Sequence, residues 1–449
     1  MKRLDLLKQV TFGAQVAEDE VNALESYFVE TNEWARMVRG EIDIVRGEKG
    51  AGKSAIYSLL LRKSGEFFDN NTILVAAENP RGTTVFKDLS ADPPTTEVEF
   101  IALWKLYTLA IVAQQLREYD VRGNEIEQVY RALEEARLLE REFTLTGVLR
   151  GVHDYARRIV RAEALEGGIE IDPATQMPSG ITGKIVLREP SYTQKRVGIF
   201  SVSGLFEIVN RVLRSKFLNV WVLFDRLDVA FADDHKLEGN ALRALIRAYS
   251  DLKSFDHISL KIFLREDIWK GLVGGGFREL SHIVRYVVLD WTPQSLLNLL
   301  IRRILSNSVL VGEFSINAKA VLEDYERQER LFYQFFPEQV EQGPQKAKTF
   351  NWLITRCRDG TNKTAPRELI HLANSILEQE IKRLERGGTP TTELQLFDRS
   401  VFKAALPIVS NTRLHAYLYA EYPNEKAFVT SWKVKKQNKH PKVYAPCGT

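Results

Sequence analysis

The residues best suited to chemistry form a glycine-rich segment near the start of the chain, from Gly47 to Ser54. The segment fits the spacing G-x-x-x-x-G-K-S/T, in which glycines let the backbone fold tightly so that its N–H groups face a phosphate. Lys53 would reach the β- and γ-phosphates of a nucleotide, and the Ser54 hydroxyl would ligate Mg²⁺. The motif therefore predicts ATP and Mg²⁺ as cofactors. The predicted nucleotide-binding residues are Gly47, Glu48, Lys49, Gly50, Ala51, Gly52, Lys53, Ser54 and Ala55.

A second candidate is Asp225, which ends the apolar run Val220 to Phe224. A carboxylate at the end of a strand can hold Mg²⁺ through its water shell, so Asp225 is predicted as a metal ligand together with Ser54. Taken alone, such an acid is more often the cap of the helix that follows. Asp228 comes three residues later and is predicted on the same side of the first helical turn, where it would position water or pair with an arginine.

Two further residues at strand ends are predicted to take part in catalysis. Arg265 follows a strand and would reach the carboxyl edge of the sheet, where a planar, permanently charged guanidinium can meet a γ-phosphate. An ion pair with Glu266 or Asp267 is an equally good interpretation. Glu78 ends the second apolar run, which is expected beside the phosphate-binding strand, and is a weaker candidate for orienting water. Its alternative role is that of an exposed loop acid.

The last candidate is Arg367, in the segment Gly360 to Arg367. A glycine is expected to end one helix there, and Pro366 to start the next. Arg367 would either close onto the nucleotide from a helical domain or remain on the surface of that domain.

These candidates need a scaffold, and the chain supplies apolar, β-rich runs alternating with helical stretches. That alternation predicts an α/β fold with a parallel sheet buried on both faces. The runs are Ile42 to Val45, Thr72 to Ala76, Val220 to Phe224, Leu260 to Leu264 and Arg285 to Leu289.

The spacing of these runs also predicts the domain organisation. The interval between the second and third runs is too long for a structureless loop, so it is predicted as an insertion of helices followed by a hairpin or loop excursion over Gly167 to Ser203. The predicted divisions are an N-terminal segment packing on the core (1–30), the core (31–95 and 201–292), the insertion (96–200), a helical lid (293–400), and a C-terminal helix with a basic tail (401–449).

Composition limits the possible functions. Apolar residues make up 44% and charged residues 27%, as in ordinary globular proteins. The net charge is +3, yet residues 431–449 hold five lysines and no acid, so the remainder carries −2. A body so close to neutral does not favour a dedicated nucleic-acid-binding protein, although local patches remain possible. The two cysteines predict neither a disulfide framework nor a zinc site, and the absence of a long apolar run or leader predicts a cytoplasmic protein.

Together these motifs resemble the bacterial P-loop ATPases allied to the AAA+ and STAND groups, over most of residues 10–420. The segments that support this likeness are Gly47 to Ser54, Asp225 to Asp228, Arg265 and Gly360 to Arg367. Others are similar to a STAND-like subgroup associated with phage-defence loci, namely Phe12-Gly13, Ala17-Glu18, Tyr27-Phe28-Val29 and Gly183-Lys184-Ile185.

The resemblance implies a sheet of order 5-1-4-3-2, ATP-driven homo-oligomer formation and a switch role in antiphage defence with a separate effector protein. Two departures, the long insertion and Arg226 in place of the glutamate that many AAA+ ATPases carry after the metal-binding acid, imply slow hydrolysis. The alternative is a DNA-associated ATPase similar to initiators or loaders, which would bind DNA with a steep salt dependence.

Overall fold

The chain folds into two compact units, which the computed structural model describes over most of their length. The core unit is Val16–Trp291, and the helical unit combines Met1–Gln15 with Thr292–Thr449. The described residues are 2–16, 19–20, 23–79, 84–87, 89, 92–139, 144–166, 185–196, 198–230, 234–390, 392, 395–419 and 426. Ala17-Glu18, Gly183-Lys184 and the lysine-rich tail therefore lie outside the description.

The core unit is built on a parallel five-stranded sheet. The strands of the unit are β1 (Ile44–Gly47), β2 (Thr72–Ala76), β3 (Ile185–Val186), β4 (Phe200–Ser201), β5 (Asn219–Phe224), β6 (Ile258–Arg265) and β7 (Tyr286–Val288). The large sheet has the order β2-β5-β6-β1-β7, and every neighbouring pair is parallel. Counted among these five strands alone, the order is 5-1-4-3-2 from the β7 edge. The predicted α/β class and parallel sheet are confirmed.

Successive side chains of a strand point to opposite sides of the sheet, and here helices bury both sides. On one face Val45, Leu74 and Phe263 pack with the helices Asn32–Val38, Lys53–Arg62 and Ser64–Asp69. On the other face Ile44, Val75 and Ile262 pack against the larger helical layer. That layer contains Glu97–Glu118, Asn124–Glu135, Leu145–Glu166, Val202–Ser215 and His235–Leu252. The remaining helices of the unit are Leu24–Tyr27, Tyr192–Arg196, Leu227–Ala230 and Glu266–Gly274, with 3₁₀ turns at Val85–Lys87 and Arg278–His282.

The predicted insertion belongs to this second helical layer. The indole of Trp104 donates to the carbonyl of Ala241 at 2.9 Å, and the hydroxyl of Tyr107 donates to the carbonyl of Ala77 at 2.8 Å. The helix that carries both residues is therefore held against the core of the unit. A hairpin is the wrong expectation for the described part of Gly167 to Ser203, because β3 and β4 pair in parallel. Residues 167–184 lie outside the description.

The helical unit includes the first fifteen residues of the chain, contrary to the expectation that they pack on the core. Asn307 accepts from the N–H of Thr11 at 2.8 Å and donates to its carbonyl at 3.0 Å, while Asn374 accepts from the N–H of Phe12 at 3.2 Å. Phe12 is buried among Phe336 and Phe397. A pattern read along the chain could not place this segment, since its partners lie about 300 residues away.

The other helices of this unit follow the predicted helical stretches. They are Arg3–Leu7, Pro293–Leu305, Ser308–Glu313, Ala318–Leu322, Tyr325–Phe335, Thr349–Cys357, Pro366–Glu385 and Arg399–Thr412, which a π-helical turn extends over Arg413–Leu418. No helix in the described parts of the chain is long and apolar enough to cross a bilayer.

Candidate functional site

The glycine-rich segment forms a tight loop between β1 and the helix Lys53–Arg62. Gly50 and Gly52 have φ angles of 79° and 100°, values that side-chain-bearing residues rarely adopt. A Cβ at Gly47 would lie 3.1 Å from that of Ala51, so the two ends of the loop approach closely. The loop thus has the strand-loop-helix setting that a phosphate-binding loop requires, and Ala55 lies in the first turn of the helix.

Lys53 turns back over this loop. Its Nζ donates to the carbonyls of Gly47 at 2.8 Å and Glu48 at 3.1 Å. Burial lowers the pKa of Lys53, and the carboxylates of Asp225 and Asp228 oppose that effect. The ammonium group is therefore placed at the mouth of the loop among acids, where a polyphosphate chain would offer it stronger partners than two neutral carbonyls.

Ser54 and Asp225 are brought together by the end of β5 and the start of the loop helix. Asp225 is 3% exposed, and burial raises its pKa to about 6 despite a hydrogen bond from the Ser54 side chain. Its Oδ2 atom has no hydrogen-bond partner among the residues that the structure describes. A buried carboxylate oxygen without a partner is costly unless a ligand or a cation satisfies it.

The pair fits Mg²⁺, which prefers oxygen ligands and commonly takes one or two protein groups with phosphate and water completing its shell. A hydroxyl and a carboxylate are such ligands. The described residues contain no group of three or more His, Cys, Asp or Glu side chains placed to hold a metal. A metal–nucleotide complex brings further oxygen ligands of its own, from phosphate groups and water.

Arg265 reaches the same edge of the sheet from β6. In the register of the sheet it stands opposite Gly47, the first residue of the loop. Its guanidinium forms two hydrogen bonds with Asp267, at 3.0 and 2.5 Å, and lies 3.5 Å from Asp228. Both sequence-based interpretations are therefore met in part, because Arg265 is beside the loop and is also paired with Asp267. Of the two roles predicted for Asp228, positioning water or pairing with an arginine, the structure shows the pairing.

Glu78 is placed differently from the expectation. Strand β2 lies at the far edge of the sheet beside β5, so Glu78 is not next to the phosphate-binding strand. Its side chain is fully buried and accepts hydrogen bonds from the Thr84 hydroxyl and from the backbone N–H groups of Asn79 and Val85. Burial raises its pKa, and these hydrogen bonds oppose that rise. An exposed loop acid is thus the wrong description, since the carboxylate organises the chain after β2.

Arg226, the residue after Asp225, has a φ angle of 58° and donates from Nη1 to the carbonyl of Asn79 at 3.2 Å. It occupies the position directly after Asp225, where a glutamate could have oriented water. A permanently charged donor cannot act as a general base, and slow hydrolysis stays a prediction.

Arg367 belongs to the helical unit, and its contacts are those within that unit. Pro366 opens its helix as predicted, and the guanidinium lies 5.9 Å from the ring of Tyr417. Its approach to a nucleotide stays a prediction.

Trp291, which no sequence motif indicated, contacts the loop directly. The indole Nε1 donates to the carbonyl of Ala51 at 2.9 Å. Because β7 lies next to β1 in a parallel sheet, a residue just beyond β7 emerges at the same edge as the loop. Knowledge of the strand order could therefore have identified Trp291.

Comparison of the chain with protein-family models, with curated proteins and with solved structures gives no match.

Proposed function

We propose that this protein binds ATP with Mg²⁺ in a P-loop, hydrolyses it slowly, and acts as a nucleotide-dependent switch. The observation that carries the proposal is the buried, unpartnered Oδ2 of Asp225 beside Ser54. Without a metal–phosphate ligand, burial of that oxygen costs folding free energy that no hydrogen bond from the described residues offsets. With one, Ser54 and Asp225 hold the cation while Lys53 and the loop N–H groups hold the phosphates.

The chemistry assigned to the protein's own residues is electrostatic. The loop amides and Lys53 neutralise the triphosphate, and Arg265 senses its terminal phosphate after exchanging a carboxylate partner for phosphate oxygens. The bound cation would neutralise charge developing on the β- and γ-phosphate oxygens. Slow turnover follows from Arg226 at the position after Asp225 and from the hydrogen bonds that already engage Glu78.

The switch role is supported by the division of the chain into two units, since ligands can act as switches by favouring one arrangement of linked units. Homo-oligomer formation, a separate effector and a place in antiphage defence rest on the resemblance to STAND-like ATPases. Nucleotide would set the assembly state, and hydrolysis would reset it.

The test is calorimetric titration of the full chain with ATP, ADP and GTP, each with and without Mg²⁺, together with phosphate release and mass photometry. Micromolar, Mg²⁺-dependent ATP binding is expected, with Lys53→Ala weakening it at least about tenfold, as the loss of a charged phosphate contact predicts. Lys63→Ala is the matched control, because it removes a lysine just beyond the far end of the same helix, where it pairs with Glu66. Absence of binding to every nucleotide would overturn the proposal. A particle size that is the same with ATP, ADP and no nucleotide would overturn the switch.

A further inference from the structure

Trp291 is the last residue of the core unit, and the helical unit resumes at Thr292. Two residues earlier, the N–H of Leu289 donates to the carbonyl of Arg46 at 2.7 Å, which ties this stretch to β1. The Trp291 indole contacts the glycine-rich loop at the end that is farther from β1. Besides the hydrogen bond to Ala51, its Cζ2 atom lies 4.0 Å from the position that a Cβ at Gly52 would occupy.

This contact restricts the orientation of the peptide plane between Ala51 and Gly52. The described chain contains no cis peptide bond, and in a planar trans peptide the C=O and the following N–H point in opposite directions. An indole that holds the Ala51 carbonyl from one side therefore directs the Gly52 N–H to the other side. Gly52 would otherwise have unusual freedom to reorient, because glycine has many accessible backbone conformations.

We propose that Trp291 is a positioning residue that orients the Gly52 N–H as a donor to the phosphate chain of the nucleotide. The inference rests on the proposed nucleotide-binding function and adds a residue to its site. Anion-binding loops depend on several N–H groups converging on one point, so a donor that must first be reoriented weakens binding.

The role also links nucleotide occupancy to the segment that enters the helical unit. If Trp291 favours phosphate binding by holding the peptide, bound phosphate must stabilise the Trp291 contact by the same free energy. The residue after Trp291 begins the helical unit, so nucleotide will reduce the mobility of the chain at that junction.

The matched variants separate the hydrogen bond from packing. Trp291→Phe keeps an aromatic ring but removes the indole donor, whereas Trp291→Ala removes both. Trp34→Phe is the control, because Trp34 is another tryptophan of the core unit, and it packs against Phe28. With Mg²⁺-ATP and Mg²⁺-ADP, Trp291→Phe should raise Kd about threefold to tenfold, the factor that corresponds to one typical hydrogen bond. Trp34→Phe should leave Kd unchanged.

A spectroscopic readout tests the orientation itself. Ala51-Gly52 is the only Ala-Gly pair in the sequence, so labelling with [1-¹³C]alanine and [¹⁵N]glycine selects the Gly52 amide in an HNCO spectrum. Mg²⁺-ADP should shift this proton downfield in the wild type and in Trp34→Phe, and should shift it much less in Trp291→Phe. Hydrogen exchange across residues 289–296 should slow with nucleotide in the wild type and in Trp34→Phe, but not in Trp291→Phe.

The outcomes distinguish this inference from the proposed function. A wild type that binds no nucleotide overturns both. A wild type that binds nucleotide through Lys53, with equal affinities and equal Gly52 shifts in Trp291→Phe, overturns the positioning role alone. Loss of affinity in Trp291→Ala but not in Trp291→Phe would show that the ring only packs against the loop, and would also overturn it.

Discussion

Nη1 of Arg265 lies 3.5 Å from a carboxylate oxygen of Asp228, across the edge of the sheet where β5 and β6 end. Asp267 holds the other side of the same guanidinium through two hydrogen bonds. Arg265, which stands opposite Gly47 in the register of the sheet, is thus engaged by two acids. A γ-phosphate must compete with them for the guanidinium, which makes Arg265 suited to distinguish ATP from ADP.

Replacing Arg265 with glutamine should weaken ATP binding about tenfold and ADP binding much less, since hydrogen bonds between charged groups contribute roughly 1.5–3 kcal/mol. Calorimetry with both nucleotides measures the difference. Arg247→Gln is the control, because Arg247 pairs with Glu97 and Glu279 of the core unit and is not implicated in phosphate binding. Equal losses for ATP and ADP would argue against γ-phosphate sensing.

Replacing Asp225 with asparagine should stabilise the protein when no nucleotide is present. Burial raises the pKa of Asp225 from 3.8 to about 6, so the folded state binds this proton more tightly than the unfolded chain does. Its contribution to stability is therefore complete below about pH 4 and is lost as the pH rises through about 6. At pH 7.5 the variant should gain roughly 1–3 kcal/mol in urea unfolding, a gain that vanishes near pH 4.

The same variant should lose the increase in Tm that Mg²⁺-ATP gives the wild type, because the metal loses a charged ligand. Ser58→Ala is a suitable control on the same helix, as it removes a buried hydroxyl away from the first turn. If Asp225→Asn destabilised the protein at pH 7.5, that carboxylate oxygen would be a structural acceptor rather than a metal ligand.

Glu78→Gln should lower stability and leave turnover nearly unchanged. The carboxylate accepts from Thr84 and from two backbone N–H groups, and an amide can keep only part of that pattern. A loss of about 1–3 kcal/mol is expected from the unsatisfied group, measured by urea unfolding. The phosphate-release rate at saturating ATP should change less than about threefold. A fall of a hundredfold or more with unaltered ATP affinity would instead identify Glu78 as a general base.

Lys261→Met should destabilise the core unit by about 1–3 kcal/mol, because it removes one of the two cations that pair with the buried Asp43. Lys261 is fully buried and lies 2.8 Å from Asp43, which also accepts hydrogen bonds from Arg285 and Tyr249. Burial alone would raise the pKa of Asp43, but Lys261 and Arg285 hold it below its ordinary value.

A depressed carboxyl pKa contributes stability above the pKa of the unfolded chain, and that contribution is lost as the pH falls. The stability difference between the wild type and Lys261→Met should therefore shrink below about pH 4. Lys253→Met, at an exposed position of the same unit, is the control. Nucleotide affinity should survive in Lys261→Met at temperatures where it stays folded, since Asp43 precedes β1 and the loop follows it. Equal stability of Lys261→Met and wild type at pH 7 would show that the ion pair between Lys261 and Asp43 does not stabilise the core unit.

The sequence alone was sufficient for the features that depend on neighbouring residues. The glycines, Lys53 and Ser54 define their loop through local spacing, and the apolar run before Asp225 predicts a buried strand that delivers an acid to the sheet edge. In a parallel sheet the carboxyl ends of strands meet at one edge, so the approach of Asp225 to Ser54 follows from those local patterns.

Features that depend on distant residues could not be predicted in the same way. The hydrogen bonds around Glu78 and the contact between Trp291 and Ala51 require the strand order and the path of the loops. The position of Phe12 could be predicted only with knowledge of how the helical unit folds. Burial of the helix Glu97–Glu118 against the sheet face was also missed, because a helix that is apolar on most sides is predicted to be buried without any indication of its neighbours.

The placement of residues 1–15 in the helical unit has a consequence for protein engineering. Both asparagines that hold Thr11 and Phe12 lie beyond residue 292, so expression of residues 292–449 alone would expose the aromatic site that Phe12 fills. A circular permutant that places residues 1–15 after residue 419 through a flexible linker would restore the missing segment. Such a permutant offers a route to an autonomous helical module, whereas a conventional truncation at the end of the core would remove one of its buried parts.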